Sequence, residues 1–188
     1  MKRVFLAGLL GGVALFAWES IAHLALPLGQ AGLKALDNEP AVVGSLRDNV
    51  KQPGLYFFPG AAATGATQAA TGPSGIMAFQ PNGSMTMMPS QLLTQAGSDV
   101  IAMLLAAFLL VQAGGIPGFG RRVVFFTALG ILPALRTDLS YWNWYAFPAT
   151  YTAAQFTVNI VGFCVAGMAM AKLIGTRSAA PLVAHAAA

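Results

Sequence analysis

Seven polar or charged side chains stand within apolar stretches of this sequence, and their chemistry is its most informative feature. They are Glu19, His23, Asp99, Arg136, Asp138, Gln155 and Asn159. Ionisable residues inside a membrane are energetically costly, so they usually face a protein interior and mark an ion, proton or ligand site. The same groups can instead form a structural network of ion pairs and hydrogen bonds that fixes helix packing. The residue types alone leave both interpretations open.

The positions of these residues along their apolar runs predict that they share one depth. Counted from the predicted inner end of each run (Arg3, Gly115, Arg121 and Lys172), Glu19 and Asp99 lie 16 residues in and Arg136 lies 15, while Gln155 and Asn159 lie 17 and 13 residues in. At about 1.5 Å per residue, all are roughly 20–25 Å from that end. We therefore predict one polar layer across four helices, in which Arg136 pairs with Glu19 or Asp99.

Metal or pigment binding is a further interpretation of some of these side chains. Glu19 and His23 are four residues apart on one helix face and can supply two metal ligands, with Asp99 as a third. A histidine in a membrane helix can also bind a tetrapyrrole. Met85 and Met87 share a face of a predicted strand, and thioethers are soft Cu(I) ligands, although methionine also packs irregular surfaces. None of these patterns is specific, and the sequence identifies no cofactor.

The composition predicts how these residues are positioned. The chain has 188 residues, of which 56% are hydrophobic and 9% charged, and its mean hydropathy is +0.66. Soluble domains carry about 25% charged residues. We therefore predict an all-α integral membrane protein, a four-helix transmembrane bundle with a small α+β cap outside the membrane. The predicted segments are a first spanning helix at 1–26, the cap at 27–89, three spanning helices at 90–175 and a disordered tail at 176–188.

The charge distribution predicts the orientation of the bundle. Six basic residues flank the apolar runs at one side, namely Lys2, Arg3, Arg121, Arg122, Lys172 and Arg177. By the positive-inside rule, both chain ends are cytoplasmic and the 27–89 loop is periplasmic. The start could also be a cleaved signal peptide, but its length and Glu19 favour a retained helix. The aromatic run SYWNWYAFP at 140–148 resembles those of small four-pass proteins of the bacterial inner membrane.

Local patterns predict the elements of the cap and the packing of the helices. Residues 40–50 have the spacing of a short amphipathic helix, residues 55–58 read as a strand, and Asn82-Gly83 between 76–80 and 84–88 indicates a hairpin. A stripe of Gly8 and Gly12 on the first helix matches one of Gly162 and Ala166 on the last. Small residues permit close helix contact, so we predict that these two helices pack together with polar groups between them.

No sequence motif assigns a reaction to this chain. Phosphate-binding loops, dinucleotide fingerprints, nucleophile elbows and nucleic-acid modules are all missing from the sequence, so no catalytic residue is predicted. The leading hypothesis is an accessory or structural subunit of a larger membrane complex, in contact with lipid and with other subunits or a second copy. The alternative is a protein that binds an ion, metal or small ligand in the polar layer. Nucleic acid is not an expected partner.

Overall fold

Four long helices dominate the fold. The computed structural model describes residues 2–60, 73–83 and 88–174. The helical runs that are long and apolar enough to cross a membrane are α1 (Lys2–Leu24), α3 (Pro89–Gln112), the run Phe119–Tyr145 and α6 (Ala149–Ala171). A short helix, α2 (Glu39–Asn49), lies between α1 and α3. The run Phe119–Tyr145 consists of α4 (Phe119–Pro133), a π-helical turn (Ala134–Asp138) and α5 (Leu139–Tyr145). Four apolar helices are therefore confirmed, while the predicted tail lies outside the described residues.

Local sequence signals explain where α3 begins and ends. Pro89 occupies the start of the helix, where its missing N–H is not needed. The backbone N–H of Met88 donates to the Gln91 side chain at 2.9 Å, which satisfies a donor at the helix start. At the other end, Gly114 and Gly115 have φ angles of 78° and 73°, a backbone conformation that glycine adopts without strain. The helix therefore stops before the basic turn that leads into α4.

Helix α1 is one of the two inner helices of the bundle. It packs most extensively against α3 and α6, and α6 packs in turn against α4, whereas the consecutive helices α3 and α4 touch little. The order across the bundle is therefore α3–α1–α6–α4. The main apolar core lies towards the chain ends, where Ala7, Met103, Leu110, Phe126 and Met170 are fully buried. This packing closes the basic end of the bundle.

The glycine stripe of α1 faces α3. A Cβ atom on Gly12 would lie 2.5 Å from the Cα of Val100, and one on Gly8 would lie 2.8 Å from the Cα of Leu104. The two backbones thus approach too closely for any side chain at these positions. The prediction that this stripe packs on the last helix is wrong, because both glycines are covered by α3.

Helices α1 and α6 do pack together, but through other residues. A Cβ atom on Gly162 would lie 2.7 Å from the side chain of Leu15. One turn along α1, the indole N–H of Trp18 donates to the Val158 carbonyl at 3.0 Å. Ala166 is fully buried in the core. The small residues of α6 therefore contact large side chains of α1. The sequence had instead predicted contact between the small-residue stripes of the two helices.

The segment between α1 and α3 contains α2 and a two-stranded antiparallel sheet. Strand β1 (Gly54–Phe58) pairs with β2 (Gly75–Phe79), with Phe57 opposite Ile76. The turn after β2 is closed by the Gly83 N–H, which donates to the Gln80 carbonyl at 3.2 Å. The second arm of the predicted hairpin falls on residues 84–87, outside the described residues. The Phe57 and Tyr145 rings meet edge to face at 6.4 Å, which joins the sheet to α5.

Arg122 joins two helices at the basic end. Its Nε donates to the Ile116 carbonyl at 2.8 Å, and one terminal nitrogen donates to the Ala171 carbonyl at 3.0 Å. The side chain is buried, whereas that of neighbouring Arg121 is exposed. A buried guanidinium at the C-terminus of α6 also complements the negative end of the helix dipole. The two arginines of this turn therefore have different roles.

Candidate functional site

An open cavity of about 480 Å³ lies between α1, α3 and α6, at the opposite end from the apolar core. Its apolar lining comes from Phe16, Leu24, Leu92 and Val158. Its polar lining comes from Glu19, Ser20, His23, Gln95, Gln155 and Asn159. The volume falls within the range of small-molecule sites, about 300–1,000 Å³. The structure thus brings four of the seven predicted residues, Glu19, His23, Gln155 and Asn159, to one cavity.

A glutamine bridges two acidic residues at the wall of this cavity. The Gln95 amide nitrogen donates to Glu19 Oε2 at 2.8 Å and to Asp99 Oδ1 at 2.9 Å. The two carboxyl groups are close enough to interact electrostatically. Because carboxylates only accept hydrogen bonds, the Gln95 nitrogen must face both acids, and its carbonyl oxygen stays available as an acceptor. We call Glu19, Gln95 and Asp99 the acid bridge.

Asp99 is the most deeply buried member of the acid bridge. Its side chain is 4% exposed, and its Oδ2 atom has no hydrogen-bond partner among the described residues. Among the described residues, neither Asp99 nor Glu19 forms an ion pair, whereas Arg47 and Asp48 do. Burial disfavours an unpaired carboxylate, and either a bound proton or a positive counter-charge relieves that cost.

A second polar contact extends the layer towards α4. The Asn159 amide nitrogen donates to Asp138 Oδ2 at 2.9 Å, and Asp138 is 9% exposed. As in the acid bridge, the amide nitrogen faces the acid, which leaves the Asn159 carbonyl oxygen as an acceptor. The Gln155 amide lines the cavity and makes no hydrogen bond to another described residue. The acceptors near the cavity therefore outnumber its donors.

The metal interpretation gains no support from the geometry. Among the described residues, no three His, Cys, Asp or Glu side chains lie close enough together to hold a metal ion, so Glu19, His23 and Asp99 do not form such a group. The His23 ring nitrogen Nδ1 lies 2.9 Å from the Glu19 backbone carbonyl, within its own helix. Met85 and Met87 lie outside the described residues.

The predicted pairing of Arg136 with Glu19 or Asp99 is wrong. Arg136 is exposed, and its guanidinium makes no ion pair, hydrogen bond or ring contact with another residue of the ranges 2–60, 73–83 and 88–174. Two residues apart on the π-helical turn, the side chains of Arg136 and Asp138 leave the backbone on roughly opposite sides. Asp138 faces Asn159 in the bundle, which leaves Arg136 outside it.

Gln95 is a site residue that the sequence reasoning missed. It precedes Asp99 by four residues, so the two share one face of α3, and this spacing was a usable signal. An uncharged glutamine near a helix end is easily taken for a surface residue. Its importance depends on the approach of Glu19 from another helix, which spacing within one helix does not predict.

Similarity to known proteins adds no assignment to this geometry. Comparison with protein-family models, with curated proteins and with solved structures finds no significant match for the chain. Four apolar helices are compatible with a multi-pass membrane protein. The function must therefore be argued from the cavity and its lining.

Proposed function

We propose that this chain is a membrane protein that binds a small organic cation, a protonated amine with an apolar body, in the cavity between α1, α3 and α6. The single observation that carries the proposal is the acid bridge: Glu19 and Gln95 line the 480 Å³ cavity, and Gln95 also binds Asp99, whose Oδ2 has no hydrogen-bond partner among the described residues. This develops the hypothesis of a ligand site in the polar layer.

The chemistry of the lining supports a ligand rich in hydrogen-bond donors. Glu19 offers a carboxylate, and Gln95 and Asn159 offer carbonyl oxygens because their amide nitrogens face acids. An ammonium group has three donors and no acceptor, which complements this set. It also supplies a positive charge beside the acid bridge, in addition to any carried by His23, which interacts electrostatically with Glu19.

The apolar lining supports an organic cation over a bare metal ion. Phe16, Leu24, Leu92 and Val158 face the same cavity as the acceptors. An aromatic ring next to an ammonium also gains a cation–π contribution, about 0.5–1 kcal/mol at exposed sites. The absence of a three-ligand group among the described residues agrees with this preference.

Calorimetry with a charged probe and its neutral analogue tests the proposal. Protein in nanodiscs is titrated with phenethylamine and with 2-phenylethanol, which has a similar shape but no charge. We expect phenethylamine to bind, and Glu19→Gln or Asp99→Asn to weaken this binding about tenfold, equivalent to about 1.4 kcal/mol. Glu39→Gln, the same change on exposed α2, is the matched control and should bind like the wild type. Equal binding of the neutral alcohol, or unchanged binding in both acid variants, would refute the proposal.

A second proposal keeps the hypothesis of an accessory or structural subunit. Gly97 on α3 is exposed, with no atom within 4 Å of an added Cβ, and Ser98 beside it is also exposed. Small residues on an outward face of a membrane helix favour contact with another helix. We propose that a helix of a second copy or another subunit covers this face. Native mass spectrometry in mild detergent should then show a larger assembly for the wild type and a single chain for Gly97→Leu. An assembly unchanged by Gly97→Leu, or a wild type that is already a single chain, would contradict this second proposal.

A further inference from the structure

A second concave site, on the opposite flank of the bundle, combines an uncompensated cation with several hydroxyl groups. A cavity of about 490 Å³ is lined by Arg136, Thr137, Ser140, Tyr141, Trp144 and Tyr145. No acidic side chain contributes to this lining. The site is independent of the acid bridge, which lies between other helices.

The backbone explains how an arginine comes to face outward here. Pro133 ends the regular part of α4, and the π-helical turn Ala134–Asp138 follows it. The turn directs Asp138 inward to Asn159, so the nearest acid in sequence does not neutralise Arg136. π-Helical turns are rare and occur frequently at functional sites.

The donors at this site match a phosphate group. The Arg136 guanidinium and the hydroxyls of Tyr141 and Tyr145 have no hydrogen-bond partner among the described residues. The Tyr141 and Tyr145 rings meet edge to face at 5.9 Å, which holds the two hydroxyl-bearing side chains side by side. Guanidinium binds phosphate oxygens with paired, charge-assisted hydrogen bonds. A donor-rich concavity without acids is therefore an anion site.

The surroundings of the site indicate that a lipid supplies this phosphate. The apolar side chains of Leu135 and Leu139 are 51% and 40% exposed on the same helical run, and Trp144 is 74% exposed. Tryptophan and tyrosine concentrate at the headgroup level of a bilayer. We propose that Arg136, Tyr141 and Tyr145 bind the phosphate of an anionic phospholipid headgroup at the end of the third spanning helix.

Native mass spectrometry of protein released from nanodiscs tests this site. Nanodiscs contain equal amounts of phosphatidylglycerol and phosphatidylcholine, and the readout is the ratio of the two lipids that stay bound. We expect enrichment of phosphatidylglycerol, an about tenfold loss of that enrichment in Arg136→Gln, and a smaller loss in Arg136→Lys, which keeps the charge but not the paired hydrogen bonds. Arg47→Gln, which removes an exposed arginine beside Asp48, is the matched control and should behave as wild type.

Two further measurements separate the source of the phosphate from a structural effect. Tyr145→Phe keeps the ring contacts with Phe57 and Tyr141 but removes one hydroxyl, and we expect an about threefold loss of enrichment. Inorganic phosphate at millimolar concentration should not displace the lipid. Displacement of the lipid by inorganic phosphate would assign the site to a soluble anion and overturn the lipid proposal. The lipid proposal would also be overturned if Arg136→Gln enriched phosphatidylglycerol as strongly as the wild type does.

Discussion

Gly12 sets the distance between α1 and α3, so Gly12→Ala is a sharp test of the packing described above. A Cβ atom at this position would lie 2.5 Å from the Cα of Val100 and 2.9 Å from its backbone nitrogen. Ordinary van der Waals contact begins at 3.4 Å. The obstacle is backbone, which a rotamer change cannot move, so the helices must part by about 0.9 Å, the difference between 3.4 and 2.5 Å.

The energetic effect follows from the atoms that this separation affects. A gap of about 0.5–1 Å removes a quarter to a half of the dispersion energy of each atom pair along the contact. Overpacking of this kind typically destabilises a protein by about 1–3 kcal/mol. The separation also lengthens the hydrogen bond of 2.8 Å between Gln95 on α3 and Glu19 on α1. We therefore expect Gly12→Ala to reduce both stability and phenethylamine binding.

Unfolding in mild detergent, followed by tryptophan fluorescence, measures the change. The control is Gly44→Ala, the same substitution in the middle of α2, where an added Cβ has no neighbour within 4 Å. Alanine is more favourable than glycine in a helix by about 0.8–1.0 kcal/mol, so this variant should be as stable as the wild type or more stable. If Gly12→Ala unfolds at the wild-type midpoint, the close approach of the two helices is refuted.

Two other predictions concern the basic end and the orientation of the bundle. Arg122→Gln removes hydrogen bonds to two backbone carbonyls at a buried site and should lower the free energy of unfolding by about 2–3 kcal/mol. Arg121→Gln, at the exposed neighbouring position, should change that free energy by less than about 0.5 kcal/mol. Equal effects of the two substitutions would contradict the role of Arg122. In a Cys164→Ala background, a membrane-impermeant maleimide should label Ser45→Cys in intact bacteria and should label Gly120→Cys only after lysis; the reverse pattern would overturn the proposed orientation.

The four long helices were predictable because each is a long apolar run with its own start and stop signals. Helix α3, for example, begins at Pro89 and ends before Gly114, as local rules require. The pairing of β1 with β2 was harder, because the Asn82-Gly83 turn favours a local partner, whereas β2 pairs with β1, a strand that ends 17 residues before it. Local turn chemistry carries no information about such distant partners.

The candidate site was predictable in depth but not in its pairings. Counting residues placed Glu19 and Asp99 at one level, and the structure links them through Gln95. The same counting could not show that the π-helical turn turns Arg136 away from both acids. A shift in helical phase after Pro133 depends on the hydrogen bonds of the surrounding backbone, which residue spacing does not reveal.

The inner position of α1 has a consequence for synthesis of the chain. This helix is made before its neighbours, and α3, which covers Gly8 and Gly12, is complete only 88 residues after Leu24. At about 5–20 residues per second, α1 waits roughly 4–18 seconds for that neighbour and longer for α6. During this interval Glu19 has no Gln95 to donate to it, and a lone acid inside an inserted helix is unfavourable, by up to about 2.5–3.5 kcal/mol at the helix centre. The ribosome thus delivers α1 before both helices that pack against it, and an unpaired Glu19 favours retention of α1 at the insertion machinery until α3 arrives.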